Sequence, residues 1–226
     1  MSLKLISATS SHYARKVRIV LAEKSIPFDL ITEVPWNSTT QIPQHNPLEK
    51  LPVLIIPADG VPGLIAGSGK QVSVSESHFI LEWIEFKFPA PKYPSMLPED
   101  GDQRLEAKEI EVVADGMCDA LVLRFFEVQR KDQSQEWIAR QMRKVDGGMK
   151  WLAGRVRPGK EFLVGERFGL ADIAVGAVCG YLDVRYEEYP WRARYPDLSK
   201  YVDTLQDRES FRITTPRAQK FVDKIV

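Results

Sequence analysis

Cysteine is scarce: Cys118 and Cys179 are the only two in 226 residues. Both fall in apolar helical contexts, which reads as two buried free thiols rather than a disulfide or a metal pair. The three histidines, His12, His45 and His78, have neither the spacing nor the neighbouring carboxylates of a metal site. No apolar run approaches the ~20 residues that span a bilayer, and the N-terminus lacks the charged, apolar and small-residue order of a secretory leader. Neither sign of charge is in excess, 31 Lys+Arg standing against 31 Asp+Glu, so nothing global draws the chain to nucleic acid or to an anionic membrane. Internal repeats and low-complexity tracts are missing too. These absences predict a cytoplasmic globular protein with no metal, no nucleic-acid partner and no membrane partner.

What is present is ordinary in amount and specific in arrangement. Hydrophobic residues make up 44% and charged residues 27%, enough in a chain of this length for one large domain or two small ones. Leu3-Lys4-Leu5-Ile6 reads as a strand that runs into a loop of four hydroxyls, Ser7, Thr9, Ser10 and Ser11. A helix follows, its buried face marked by Tyr13, Val17, Val20 and Leu21, and it ends near Lys24. Ser11 stands just before that periodicity, where a hydroxyl caps free backbone N–H groups. A strand that delivers a hydroxyl to the positive end of a helix is a place to hold an anion.

Ile26–Ile31 reads as a second strand, and residues 36–46, broken by prolines, as an irregular connection with a turn or two of helix. Leu51–Ile56 and Lys70–Val74 are third and fourth strands across a long Gly- and Pro-rich loop, 58–69, and form a hairpin. Ser75-Glu76-Ser77 opens a second helix carrying Phe79, Ile80, Trp83, Ile84 and Lys87. Phe88–Pro98, with four prolines, is too broken for regular structure and reads as a linker.

Beyond it every segment is helical: Arg104–Gln129, Gln135–Val156 with Gly147-Gly148 as a bend, the strongly apolar Leu170–Tyr186, Leu198–Asp207 and Pro216–Ile225. The order strand-helix-strand, strand-strand-helix implies a right-handed parallel crossover followed by an antiparallel hairpin, the thioredoxin arrangement. The expected domains are therefore 1–87, α/β and thioredoxin-like; 88–98, a linker; and 99–226, all helical.

Three stretches carry a resemblance that extends over essentially the whole chain. Ser11-His12-Tyr13-Ala14-Arg15-Lys16-Val17-Arg18, Asn46-Pro47-Leu48-Glu49-Lys50-Leu51-Pro52-Val53-Leu54 and Ser75-Glu76-Ser77 with Ile80, Trp83 and Ile84 together resemble the cytosolic glutathione S-transferase family, in its serine- or cysteine-type, bacterial-like form. A fourth, Phe168-Gly169-Leu170-Ala171-Asp172-Ile173-Ala174, resembles the family's buried helix start. It departs from the pattern in having Gly169 at the cap, so only half a capping box is expected, from Asp172 back to the Gly169 N–H. His12 stands where many relatives have proline, and is expected to face solvent.

The resemblance implies a glutathione transferase with glutathione as co-substrate and an electrophilic, largely apolar small molecule as second substrate. It implies that Ser11 faces the thiol, with Ser10 as the rival hydroxyl. Pro52, as a cis proline, would turn the Leu51 backbone toward the cysteinyl unit. Glu76 would meet the α-ammonium, Ser77 the γ-glutamyl carboxylate, and Lys50 the glycyl carboxylate. The second substrate is expected against the long helix, with His12, Met117, Phe125 and Phe126 in its pocket. A homodimer is implied as well.

A hydroxyl at a helix start can supply most of the energy that thiolate formation needs. Lowering a thiol pKa of ~8.5 by roughly two units takes about 2.7 kcal/mol. One hydrogen bond to a charged group supplies about 1.5–3 and a helix N-terminus about 0.3–1 kcal/mol. Glutathione-dependent isomerisation or peroxide reduction would use the same site, and a non-catalytic binding or assembly module would keep the fold alone. Thiol–disulfide exchange is disfavoured, because the loop has no cysteine.

Overall fold

The computed structural model describes residues 2–57, 71–220, 222–223 and 225–226. Four strands and two helices come first: β1 Leu3–Ser7, α1 His12–Glu23, β2 Phe28–Thr32, β3 Val53–Ile56, β4 Val72–Ser75 and α2 Ser77–Lys87, with a 3-10 turn at Ile42–Gln44. Their sheet has the order β2-β1-β3-β4. β1 and β2 pair in parallel from Leu3↔Phe28 to Ser7↔Thr32, while β1/β3 and β3/β4 are antiparallel through Leu5↔Leu54 and Leu54↔Val74. This is the thioredoxin-like order expected from the sequence. All four residues of β3 are buried, as a central strand covered on both faces requires. Ile6, Val53 and Ile55 pack on one face with Ile42, Ile31 and Leu51; strand alternation turns Leu5, Leu54 and Ile56 to the other. The long loop expected at 58–69, and Lys70, lie outside the described residues.

Helices make up the second unit: α3 Gly101–Glu127, α4 Gln135–Ala153, α5 Leu170–Arg185, α6 Trp191–Arg194, α7 Pro196–Gln206 and α8 Glu209–Ile213. α3 begins three residues earlier than its apolar period, because Asp100 caps it by accepting from the Gln103 N–H at 2.9 Å. Gly147-Gly148 does not divide α4. A Cβ on Gly148 would stand 2.4 Å from Cγ and Sδ of Met117, so this glycine admits a close helix–helix approach. α5 is buried at every position from Leu170 to Leu182, in keeping with an all-round apolar sequence.

The boundaries between the two units differ from the expected ones. One unit comprises Met1–Ser95 with Thr214–Lys224, the other Met96–Ile213 with Ile225–Val226. The proline-rich segment through Ser95 belongs to the first because the buried Lys24 ammonium donates to the carbonyls of Phe88 at 3.0 Å and Pro94 at 2.7 Å, and pairs with Glu85 at 3.0 Å. The helix expected at Pro216–Ile225 is not formed among its described residues. There the tail is irregular, and the Arg217 N–H donates to the Thr9 carbonyl at 3.3 Å instead of to a carbonyl of its own turn.

Candidate active site

Three chain segments converge on one end of the sheet, and the strand register puts them there. β1 runs toward Ser7, antiparallel β3 starts beside it through Ile6↔Val53, and β4 returns to the same end through Val53↔Ser75. The loop after β1, the turn before β3 and the junction after β4 are thereby neighbours. Ser11, Lys50, Leu51, Pro52, Glu76 and Ser77 all belong to these three pieces.

Ser11 is the N-cap of α1, extended at φ −66° and ψ 116°. Its Oγ accepts the Ala14 N–H at 3.2 Å, and its own N–H donates to the Ala8 carbonyl at 3.2 Å. The other hydroxyls of the loop are placed differently. Ser7 is buried and donates to the Ala8 carbonyl at 3.2 Å, Thr9 donates to the Arg217 carbonyl at 2.8 Å, and Ser10 is buried. Half-exposed Ser11 accepts one N–H and keeps an O–H for an incoming acceptor. No acidic residue occupies the first turn of α1, so nothing on that turn opposes an anion at its positive end.

Ahead of β3, buried Asn46 shapes the turn. Its amide donates to the Lys50 carbonyl at 2.8 Å, its Oδ1 accepts the Leu48 N–H at 3.0 Å, and its carbonyl accepts the Glu49 N–H at 3.0 Å. The Leu51–Pro52 peptide is cis, as is Ala90–Pro91. Leu51 lies beyond the start of the β3 ladder, and Lys50 is exposed.

After β4, Glu76 adopts φ 76° and ψ 124°, a left-handed conformation that costs a non-glycine residue on the order of 1–3 kcal/mol. Its carboxylate accepts the Phe79 N–H at 3.2 Å and the hydroxyl of buried Ser77 at 3.5 Å. The backbone is bent so that a carboxylate and the opening turn of α2 share one place.

The residues expected around a second substrate are distributed differently. His12, expected to face solvent, is 1% exposed and meets Tyr13 edge-on at 5.2 Å between ring centroids. It is the first residue of α1, drawn into the interior with that helix. Met117 is buried against Gly148 in the α3–α4 seam. Phe125 and Phe126 are partly exposed and stacked edge-on at 5.3 Å, with the Arg185 guanidinium 5.5 Å above Phe125.

Asn46 and Thr9 frame the site in roles that their sequence patterns do not assign. The Asn-Pro pair at 46–47 was available as a turn signal. Thr9 offered none, since its partners are 208 and 210 residues away.

Residues 10–86 match the family model for the glutathione S-transferase N-terminal domain, and residues 135–204 that for the C-terminal domain. An uncharacterized GST-like protein of Escherichia coli (strain K12), YibF, is 34% identical over 216 residues, 95% of this chain and 98% of its own. Among solved structures, a glutathione S-transferase from Methylobacterium radiotolerans in complex with glutathione sulfonate is 50% identical. Its TM-score is 0.90, with all of both chains covered. Another, from Methylobacillus flagellatus with glutathione bound, is 34% identical with a TM-score of 0.83, covering 95% of this chain and 100% of its own.

Proposed function

This chain belongs to the glutathione S-transferase family, and we propose that it binds glutathione at the sheet end just described and activates the thiol at Ser11. The thiolate then attacks a small, electrophilic, largely apolar substrate. One observation carries the reading: a helix-capping hydroxyl with an O–H left to donate shares a sheet end with a cis-proline turn and a strained acidic cap.

Each piece has work that matches its chemistry. Because Ser11 Oγ accepts from the Ala14 N–H, its O–H is polarised for donation to a thiolate. That bond supplies about 1.5–3 kcal/mol of preference for the anion, most of what a neutral-pH thiolate needs. Leu51 offers its backbone to the cysteinyl unit as an added strand would. Glu76 pairs with the α-ammonium, and Ser77 with the N–H groups opening α2 receives the adjacent carboxylate. Exposed Lys50 takes the glycyl carboxylate as a solvent-screened contact of smaller weight.

The protein also pairs with a second copy of itself. α2 leaves Phe79 52% and Phe86 77% exposed. Seven residues apart, they lie on one face of the helix, an apolar stripe suited to a partner. No helix among the described residues is long and apolar enough to cross a membrane.

Retention on immobilised glutathione, followed by thiolate absorbance and turnover with a panel of electrophiles, tests the proposal. Ser11→Ala should still bind, while kcat/KM falls by about 10- to 150-fold, the equivalent of one lost charged hydrogen bond. Glu76→Ala should lose retention. A wild-type protein that is not retained at all overturns the reading.

A further inference from the structure

We propose that Gln219, on the C-terminal tail, is a positioning residue that holds the Ser11 loop in register. This rests on the function proposed above. The tail belongs to the first unit and binds Thr9, two residues before Ser11, through both its backbone and its side chain. The Thr9 N–H donates to Gln219 Oε1 at 2.8 Å, Thr9 Oγ1–H donates to the Arg217 carbonyl at 2.8 Å, and the Arg217 N–H donates to the Thr9 carbonyl at 3.3 Å.

Anchors flank this contact on either side. Ahead of it the Arg15 Nε–H meets the hydroxyl of buried Thr214 at 3.5 Å. Past it the Val222 N–H donates to Asn37 Oδ1 at 3.2 Å, and the Ser38 N–H donates to the Asp223 carboxylate. Hydrogen bonds from the Ser38 backbone and side chain hold the Asp223 carboxyl below its ordinary range. The tail thus crosses from the start of α1 over the loop after β1 to the loop after β2. These two loops leave parallel strands that end side by side at Ser7↔Thr32.

Position matters because the loop is short. From Ala8 to Ser11 it is one turn, closed by the Ser11 N–H on the Ala8 carbonyl at 3.2 Å. Fixing Thr9 in the middle of that turn fixes where the Ser11 hydroxyl points. A reacting group misplaced by an ångström loses much of its rate advantage. Gln219 is the informative member of the contact, since its amide oxygen accepts the Thr9 N–H at 2.8 Å.

Gln219→Ala and Gln219→Glu separate positioning from bulk stability. In the alanine variant, amide exchange across residues 8–14 should accelerate about three- to tenfold, the range expected for one net hydrogen bond. The pH midpoint for thiolate on bound glutathione should rise, and kcat should fall more than the KM for glutathione rises, with the melting temperature nearly unchanged. Gln219→Glu keeps an oxygen acceptor for the Thr9 N–H and should recover wild-type exchange. Its added negative charge opposes the thiolate, so the midpoint is compared between wild type and Gln219→Ala. Unchanged exchange in Gln219→Ala, or faster exchange with an unmoved thiolate midpoint, overturns the proposal. A wild type that forms no thiolate overturns the glutathione reading instead, and the exchange rates still decide whether the tail holds the loop.

Discussion

Two helix starts in this molecule face the same backbone problem and resolve it in opposite ways. At α1, Ser11 gives one acceptor to the Ala14 N–H and keeps its own O–H to donate, half-buried at one end of the sheet. At α5, Gly169 brings no side chain, and the accepting falls to buried Asp172 and the Met96 carbonyl. The Asp172 carboxylate takes the Gly169 N–H at 2.7 Å, the Leu163 N–H at 2.9 Å and the Tyr201 hydroxyl. The half capping box expected from the sequence is therefore present, with two further donors added. The first start retains polar capacity that a ligand can use. The second consumes it internally and serves folding. Availability of the polar group, rather than the helix terminus as such, separates a site from a structural joint.

Removing the acceptor at each start should break the comparison most sharply. Asp172→Ala strands three donors in the interior and should cost about 3–5 kcal/mol in urea denaturation. Ser11→Ala, measured in the same way, should cost about 1 kcal/mol, the value of a lost N-cap. Equal losses at the two positions would erase the distinction.

Restoring the family's hydroxyl at the α5 cap sharpens the contrast. Gly169 is extended at φ −164°, a conformation open to any residue, yet a Cβ there would lie 2.7 Å from the Met96 carbonyl oxygen. That oxygen accepts the Leu170 N–H at 2.7 Å, taking a helix-start donor in place of a side chain. Gly169→Ser should therefore destabilise by about 1–3 kcal/mol through overpacking, where a cap reading by itself forecasts a gain. Thermal melting gives the sign.

The smallest effect is in pH dependence. Burial raises the Asp172 carboxyl above its ordinary range, against the opposing hydrogen bonds from Leu163, Tyr201 and Gly169. The folded state thus holds this proton more tightly than the unfolded chain. Its contribution is complete below the unfolded value of ~3.9 and is lost as pH rises through the raised folded value. The stability deficit of Asp172→Asn relative to wild type should be greatest below about pH 4 and shrink as pH rises. Parallel stability–pH curves for the two proteins would contradict this.

Local signals made much of the site legible. Ser11 fell at the helix start because hydroxyl and apolar periodicity adjoin in the sequence, and β3 was legible as an apolar run. Ser75-Glu76-Ser77 marked the opening of α2 for the same kind of reason. Features built from distant partners were not legible. Lys24 reads as an ordinary basic helix end, and only the carbonyls of Phe88 and Pro94 give it the task of holding the proline-rich segment. Gly147-Gly148 reads as a bend until Met117 is set against Gly148.

Sequence alone determined the order of the four strands and of helices α1 to α5, the hydroxyl at the α1 cap and the family, because periodicity, capping chemistry and motif order are properties of adjacent residues. Tertiary structure decided the burial of His12, the glycine at the α5 cap and the path of the C-terminal tail. Each of these depends on which atom, often scores or hundreds of residues away, already occupies the neighbouring space or satisfies the neighbouring donor.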